Sequence, residues 1–192
     1  MLAQIIALDH WLFFLVNNQC STPILDPVCT GLSAMGGWTI GLLALALLSE
    51  RGWRVVLRHA VVVLACLLLA NVCSHALKTV VDRDRPRTAF SLGIAAGRVR
   101  VNLLDPQTPE GHSFPSGHAM LSFFLMTYVG QWRPRHRPYL LVLAAGIALS
   151  RVYVGVHFPA DCVAGAALGA GFGLLAWWSA ARLFPASQLR LP

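Results

Sequence analysis

Charged residues are scarce in this 192-residue chain. Lys, Arg, Asp and Glu make up 12% of it, whereas an average soluble domain carries about 25%. Apolar residues reach 56%, and the mean hydropathy is +0.62. So little charge cannot cover a water-facing surface, which excludes a disordered tail, a collagen-like fibre and a soluble nucleic-acid binder. The composition predicts an integral membrane protein whose partner is the lipid bilayer, with no nucleic acid bound.

The chain also lacks the cysteine spacing of a metal site. It has five cysteines, an odd number, and no C-x-x-C spacing occurs. Most of them lie in apolar runs, so we expect small buried thiols rather than a disulfide framework or a zinc site. The first residues lack the basic segment of a signal peptide, so we expect no cleavage there.

Five apolar segments are candidates for membrane-spanning helices, which need about 20 mainly apolar residues. They cover residues 25–48, 55–77, 117–132, 139–156 and 159–181. A shorter segment, 2–16, would extend only ~22 Å against ~30 Å of hydrocarbon. It predicts a short N-terminal interfacial helix, with a sixth, shallow span as the alternative. The predicted fold class is all-α, a polytopic membrane helical bundle, and residues 1–192 are expected to form a single membrane-embedded domain.

The net charge of +7 is divided unevenly between the two sides of this bundle. One side carries eight cations against the single acid Glu50, while the other carries seven cations together with five acids. The positive-inside rule makes the nearly pure basic side cytoplasmic. Residues 78–115 and 151–158 then face outward, in a multi-pass protein of the cell (inner) membrane.

The last apolar segment contains three glycines at a spacing of four residues, Gly165, Gly169 and Gly173. Such spacing allows two helix backbones to approach closely. We therefore expect the start of this helix to be held firmly against its neighbours.

Polar residues concentrate at the predicted outer ends of three segments. Lys78 ends the second segment and precedes the run DRDRPR, residues 82–87. The run SFPSGH, residues 113–118, begins the third, and Ser150-Arg151 ends the fourth. Because ionisable groups at membrane depth are costly, they predict a functional site.

Each cluster has an ordinary structural explanation when it is taken alone. The cations can extend to lipid headgroups, and Ser116 and Gly117 are typical of a capped helix start. His157 can be a buried histidine whose ring is simply hydrogen-bonded. Pro159 places Asp161 in a first helical turn, from where its carboxylate can reach back to His157. Together the clusters predict an oxyanion site, in which cations and helix-start amides hold a tetrahedral phosphate beside a carboxylate-oriented histidine.

The three clusters resemble a family signature in which eleven fixed positions occur in order. The segments are Lys78-x6-Arg85-Pro86, Pro115-Ser116-Gly117-His118 and Ser150-Arg151-x5-His157-x3-Asp161. They are similar to the signature of the type 2 phosphatidic acid phosphatases, whose superfamily includes the vanadium haloperoxidases and glucose-6-phosphatase. The signature covers residues 78–161, and the helix layout resembles that of small bacterial membrane lipid phosphatases.

The resemblance implies a role for each matching residue. His157 attacks phosphorus and becomes a phosphohistidine, Asp161 orients it, and His118 protonates the leaving oxygen and then activates water. The phosphate-binding residues are Lys78, Arg85, Ser116, Gly117 and Arg151. Fixed cations can neutralise a transferring phosphoryl group, and no Asp/Glu cluster resembles a magnesium site, so no metal and no cofactor are expected. His75 and His112 are expected to lie at the edge of the site without a role.

The expected substrate is a lipid phosphate or diphosphate of the outer leaflet. Undecaprenyl diphosphate is the first choice, and phosphatidylglycerophosphate, phosphatidic acid, diacylglycerol diphosphate and lipid A 1-phosphate are alternatives. Other functions are a lipid phosphotransferase with the same intermediate, an oxidative enzyme that holds vanadate, and a non-catalytic lipid-binding or transport protein. The last of these would need neither His118 nor a His157–Asp161 pair. The sequence predicts neither the oligomeric state nor a role for residues 88–112.

Overall fold

The computed structural model describes residues 1–36, 41, 53–105 and 111–184, and every regular element within them is a helix. The elements are α1 (Leu2–Phe14), a π-helical turn (Leu15–Gln19), α2 (Leu25–Met35), α3 (Trp53–Val81), α4 (Pro86–Ala89), α5 (Ser91–Ala95), α6 (Gly117–Trp132), α7 (Arg137–Tyr153) and α8 (Pro159–Leu183). The predicted all-α class is therefore confirmed for this part of the chain.

Four of the five predicted segments correspond to helices whose ends differ by a few residues. Segment 117–132 coincides with α6, segments 55–77 and 159–181 lie within α3 and α8, and segment 139–156 corresponds to α7, which ends earlier, at Tyr153. Segment 25–48 begins with α2, but most of its second half lies outside the described residues. Two stretches, Leu57–Ala95 and Pro159–Leu183, are long and apolar enough to cross a membrane. The count of five membrane spans therefore stays a prediction.

Proline positions explain where two of the helices begin. Pro86 and Pro159 each occupy the first turn, after Arg85 and Phe158 with extended backbones. Proline fixes φ near the helical value and its missing N–H costs nothing at this position. Asp161 consequently falls in the first turn of α8, as the sequence predicts.

Helix α6 lies at the centre of the bundle. It packs against α7 and α8, while α2 lies against α7 and α3 against α8. Phe124 and Tyr128 of α6 are completely buried and belong to the main apolar core. The outer helix α3, in contrast, exposes Val61 and Leu68 by about two thirds, as expected of a helix that faces lipid.

The three glycines of α8 allow its backbone to lie directly on α6. A Cβ atom on Gly165 would meet the carbonyl oxygen of Ser116, and a Cβ atom on Gly169 would meet that of Met120. On Gly173 it would lie 2.6 Å from a carbonyl oxygen of α6. The predicted close approach of this helix to a neighbour is confirmed.

Helix α1 lies against the end of the bundle where α8 begins. Phe13 is completely buried, and its ring centroid lies 5.3 Å from that of Phe158. Asn17, in the π-helical turn, donates to the carbonyl oxygen of Tyr153 at 2.7 Å. Trp11 stays exposed, as do Ile5 and Leu8. A 13-residue helix of this kind, ~20 Å long, is compatible with the predicted interfacial position.

All five cysteines are free, as predicted. Their expected burial is wrong in part, because only Cys162 is buried and Cys20 is exposed. Cys20 follows the π-helical turn, in the connection to α2.

Candidate active site

His157 lies in the short connection between α7 and α8. Gly155 turns the chain there with a φ of +84°, and a Cβ atom at this position would lie 2.6 Å from the carbonyl oxygen of Asn102. The turn is therefore restricted to glycine by conformation and by space. It places His157 between the two helices, where its side chain is 3% exposed.

The two ring nitrogens of His157 face different surroundings. Nδ1 lies 3.4 Å from Oγ of Ser113 and 3.6 Å from Oδ2 of Asp161, whereas Nε2 lies 3.4 Å from Nη1 of Arg85. Acceptors near Nδ1 favour the Nδ1–H tautomer, which leaves the lone pair of Nε2 facing the cationic side. Burial lowers the pKa of His157 to about 4, although Asp161 acts to raise it. The ring is therefore neutral at neutral pH.

The carboxylate of Asp161 is completely buried and is held by three donors. Oδ2 accepts the Ser113 hydroxyl and, at 2.8 Å, the backbone N–H of Phe158. Oδ1 accepts a hydrogen bond from Nη1 of Arg83 at 2.9 Å. The carboxylate thus has a fixed orientation beside Nδ1 of His157.

Two of the predicted phosphate-binding cations share one acceptor. Nζ of Lys78 and Nη2 of Arg85 each lie 3.4 Å from the carbonyl oxygen of His112. Nη1 of Arg85 donates a hydrogen bond to the carbonyl oxygen of Val156 at 3.1 Å. Burial and the charge of Arg151 lower the pKa of Arg85. These like charges in a buried site favour an anionic ligand.

Arg151 reaches the site from the last turn of α7. Its Nη1 is hydrogen-bonded to Oγ of Ser33 and lies 3.3 Å from Oδ2 of Asp105. Its side chain is 3% exposed. Part of its charge is therefore compensated by a carboxylate from the connection between α5 and α6.

The start of α6 is tied to α8 through Ser116, whose N–H donates to the carbonyl oxygen of Asp161 at 2.9 Å. Ser116 occupies the N-cap position of α6, but its side chain makes no capping hydrogen bond. Within the described part of the chain, three buried polar atoms around the site have no hydrogen-bond partner: Oγ of Ser116, Nε of Arg85 and Nε of Arg151. Such atoms, with the amides of the first turn of α6, can donate to an oxyanion.

His118 is the second residue of α6 and is partly buried. Gly36, at the end of α2, lies so close that a Cβ atom there would be 3.1 Å from the Cβ atom of His118. Four charged or titratable groups are near enough to act electrostatically on the ring: Arg151, His157, Asp105 and Arg85. The structure therefore brings His118 into the same cluster as His157.

Several residues that contact the cluster were not predicted from the sequence. Arg83 and Ser113 bind Asp161, and Asp105 and Ser33 bind Arg151. Asp9 pairs with Arg83. The available signal was the lone carboxylate of Asp9 in an apolar helix, which is costly unless it is paired.

Two further histidines, His75 and His112, were expected at the edge of the site without a role. His75 is exposed on α3. The side chain of His112 pairs with Asp82, with 2.7 Å between Nδ1 and Oδ1. No group of three or more His, Cys, Asp or Glu residues in the described ranges could hold a metal ion. Metal independence of the reaction stays a prediction for experiment.

An apolar groove of about 310 Å³ opens beside the start of α8. It is lined by Leu12 of α1, by Ala148 of α7 and by Pro159 and Cys162 of α8, among other apolar residues. Pro159 is two residues from His157. The groove thus lies beside the first turn of α8, the helix that follows His157.

Comparison with known proteins agrees with this arrangement. The model of the PAP2 superfamily matches residues 59–185. The chain belongs to the PAP2 superfamily. This PAP2 chain is 34% identical over 145 residues to the decaprenylphosphoryl-5-phosphoribose phosphatase of Mycobacterium tuberculosis, covering 76% of this chain and 75% of that protein.

Two crystal structures have the same fold. LpxE of Aquifex aeolicus is 30% identical, with a TM-score of 0.65 that covers 88% of this chain and 94% of that one. A PAP2-type phosphatidylglycerolphosphate phosphatase from Bacillus subtilis is 21% identical and shares the fold, with a TM-score of 0.69 over 94% of this chain and 88% of that one. The predicted family is confirmed, and with it the class of enzyme, a membrane-associated phosphatase of the PAP2 type.

Proposed function

We propose that this PAP2 protein is a metal-independent phosphatase that hydrolyses a lipid phosphate or diphosphate at the outer leaflet through a phosphohistidine intermediate. One observation carries the proposal. His157 is buried and neutral, with Nδ1 beside Asp161 and Nε2 beside the guanidinium of Arg85. This is the environment of an activated nucleophile that attacks an anionic group.

In the proposed first step, the lone pair of His157 Nε2 forms a bond to phosphorus while the bond from phosphorus to the lipid-side oxygen breaks. His118 gives its proton to that leaving oxygen, and Asp161 stabilises the charge that develops on the ring of His157. In the second step a water molecule loses a proton to His118 and attacks phosphorus. Inorganic phosphate leaves, and His157 is restored.

The phosphate oxygens are bound by groups that converge from three parts of the chain. Lys78, Arg85 and Arg151 supply the positive charge, and arginine offers a planar fork that matches two oxygens. Ser116 and the amides of the first turn of α6, including that of Gly117, supply further donors. Phosphoryl transfer depends mainly on such positioning and charge neutralisation, which these groups can provide without a metal ion.

We place the site at the outer side of a five-span bundle in the inner membrane, with residues 1–192 as one domain. The basis is the nearly pure basic character of the opposite side and the positive-inside rule. Helix α6 has 16 residues and is ~24 Å long, shorter than ~30 Å of hydrocarbon. Its start, with His118, therefore lies slightly below the outer membrane surface, within reach of a lipid headgroup.

A lipid substrate also suits the apolar groove next to the site. With the phosphate at His157, a hydrocarbon chain can leave the polar cluster past Pro159 and Cys162 and stay in an apolar environment. The substrate proposed first is undecaprenyl diphosphate. A relative 34% identical to this chain is by its name a phosphatase of a decaprenyl lipid, which supports a polyprenyl chain.

The test is phosphate release by purified protein in detergent with a panel of lipid substrates, each with and without EDTA. The panel comprises undecaprenyl diphosphate, phosphatidylglycerophosphate, phosphatidic acid and lipid A 1-phosphate. We expect EDTA to leave the rate unchanged and His157→Ala to remove nearly all turnover. The matched control is His75→Ala, which alters an exposed histidine and should keep the wild-type rate.

Three outcomes would contradict the proposal. They are an absolute requirement for a divalent ion, full turnover in His157→Ala, and no phosphate release from any of the lipids. Transfer of labelled phosphate to a second lipid rather than to water would favour the alternative function, a phosphotransferase with the same intermediate.

A further inference from the structure

The N-terminal helix contributes a buried carboxylate close to the start of α8. Asp9 of α1 is 6% exposed. Its Oδ1 accepts a hydrogen bond from the backbone N–H of Ala160 at 2.8 Å, and its Oδ2 pairs with Nη2 of Arg83. A buried carboxylate in a mainly apolar helix is costly unless it is paired, and both oxygens of Asp9 have partners here.

Arg83 joins this carboxylate to the one beside His157. Nη2 pairs with Asp9, and Nη1 donates to Oδ1 of Asp161 at 2.9 Å. The guanidinium also lies 4.1 Å from the centre of the Phe158 ring, and the carbonyl oxygen of Arg83 accepts the N–H of Ser113 at 2.7 Å. Its planar fork is therefore held in one orientation between two carboxylates.

This orientation matters for Asp161 because each of its oxygens has a different task. Oδ1 is bound by Arg83, while Oδ2 accepts from Ser113 and from the backbone and lies nearest to Nδ1 of His157. Without the bond at Oδ1, the side chain would lose the donor that opposes rotation about its terminal bond. The distance between Oδ2 and Nδ1 would then vary.

We propose that Asp9 and Arg83 are positioning residues for catalysis: Asp9 of the N-terminal helix fixes Arg83, and Arg83 fixes Asp161 against the nucleophilic ring of His157. The inference rests on the proposed function, in which His157 is the nucleophile. Neither residue belongs to the predicted signature, and Asp9 lies outside residues 59–185, the part that matches the PAP2 model. In this proposal the N-terminal helix contributes, through Asp9, to the orientation of Asp161.

The position of this pair predicts which kinetic constant changes. Asp9 and Arg83 lie on the Asp161 side of the His157 ring, whereas Arg85 lies at Nε2 on the side of the proposed phosphate. Their loss should weaken the stabilisation of the charged ring in the transition state while substrate binding is preserved. A displacement of about 1 Å at reacting groups can cost about 10²-fold in rate.

The experiment compares Asp9→Asn, Arg83→Gln and the double variant with wild type, by steady-state phosphate release from one lipid substrate. Asn keeps an oxygen that can accept the Ala160 N–H, so α1 can still dock while its charge is removed. The matched controls are the exposed neighbours Asp84→Asn and Arg87→Gln. Thermal unfolding in detergent is measured for every variant.

We expect kcat to fall at least 10-fold in Asp9→Asn and about 100-fold in Arg83→Gln, with KM within twofold of wild type. Because Asp9 acts through Arg83, the double variant should be no slower than Arg83→Gln alone. Arg83→Lys should restore part of kcat, because it keeps the charge and one donor to Asp161.

Three results would overturn the inference: an unchanged kcat in Asp9→Asn, losses that multiply in the double variant, and a rise in KM instead of a fall in kcat. The inference would also be overturned if kcat and the unfolding temperature fell together in Arg83→Gln and Arg83→Lys restored no part of kcat. That result would indicate a merely structural role for Arg83. Wild-type turnover is recorded in parallel. A chain without phosphatase activity refutes the proposed function, whereas an active chain that is indifferent to Asp9→Asn refutes this inference alone.

Discussion

Replacement of Gly165 by alanine tests whether the contact between α6 and α8 holds the site together. A Cβ atom at this position would meet the carbonyl oxygen of Ser116 and would lie 3.3 Å from the backbone nitrogen of Met120. Both are backbone atoms of the first turn of α6 or the residue before it, so no side-chain rotation can relieve the contact. The two helices must separate where one carries His118 and the other follows His157.

The expected size of the effect follows from this geometry. The backbones must move apart by roughly 1 Å to restore ordinary van der Waals distances. Overpacking of this kind costs about 1–3 kcal/mol of stability. A misplacement of about 1 Å between reacting groups costs about 10²-fold in rate, which corresponds to about 3 kcal/mol in the activation free energy.

The matched control is Gly171→Ala in the same helix, where a Cβ atom would meet nothing within 4 Å. Both substitutions gain the same helix propensity, about 0.5–1 kcal/mol, so the difference between them isolates the contact with α6. The assay is phosphate release combined with thermal unfolding in detergent. We expect Gly165→Ala to lose about 100-fold in kcat/KM and to unfold at a lower temperature than Gly171→Ala, which should keep wild-type activity.

Equal activity and equal unfolding temperatures in the two variants would refute this reasoning. Such a result would mean that the start of α6 can move away from α8 without consequence for the reaction. The convergence of His118 with His157 would then not depend on the glycine contact.

Two further predictions concern the nucleophile and the groove. Burial lowers the pKa of His157 to about 4, so the ring stays neutral and nucleophilic down to about pH 5, and the acid limb of the kcat/KM profile should lie below that pH. An acid limb centred near 6.5, the ordinary value, would contradict this prediction. The profile should also have a basic limb from loss of the His118 proton, and His118→Ala should abolish it. Ala145→Trp places a large side chain in the apolar groove from α7, so it should raise KM for a long-chain lipid phosphate and leave hydrolysis of p-nitrophenyl phosphate unchanged. The control is Val142→Trp, at an exposed residue of the same helix that does not line the groove. Equal effects of Ala145→Trp on both substrates would count against a tail-binding groove.

Much of the site could be predicted because local sequence determines where each helix begins. Pro159 fixes the start of α8 and so the place of Asp161, and Gly117 begins α6 as expected. Proline and glycine determine which backbone dihedral angles are allowed at their own positions, and this effect does not depend on the rest of the fold. Once three helices start or end at the same side of a bundle, their terminal polar residues converge.

The charge pairings could not be predicted in this way. Asp9 and Arg83 are 74 positions apart, and Asp105 lies within residues 88–112, for which the sequence predicts no role. Their contacts depend on how α1 and the α5–α6 connection cross the end of the bundle, which tertiary packing decides. The surroundings of the Ser116 hydroxyl could not be predicted for a similar reason: packing against α8 engages the backbone N–H of Ser116 and leaves its hydroxyl buried.

The most direct measurement is the isolation of the phosphorylated enzyme after a rapid quench with substrate labelled in the phosphate to be released. The account predicts an acid-labile, base-stable phosphate on His157 that is present in wild type and absent from His157→Ala. Label on another residue, or turnover in the His157→Ala variant, would contradict it.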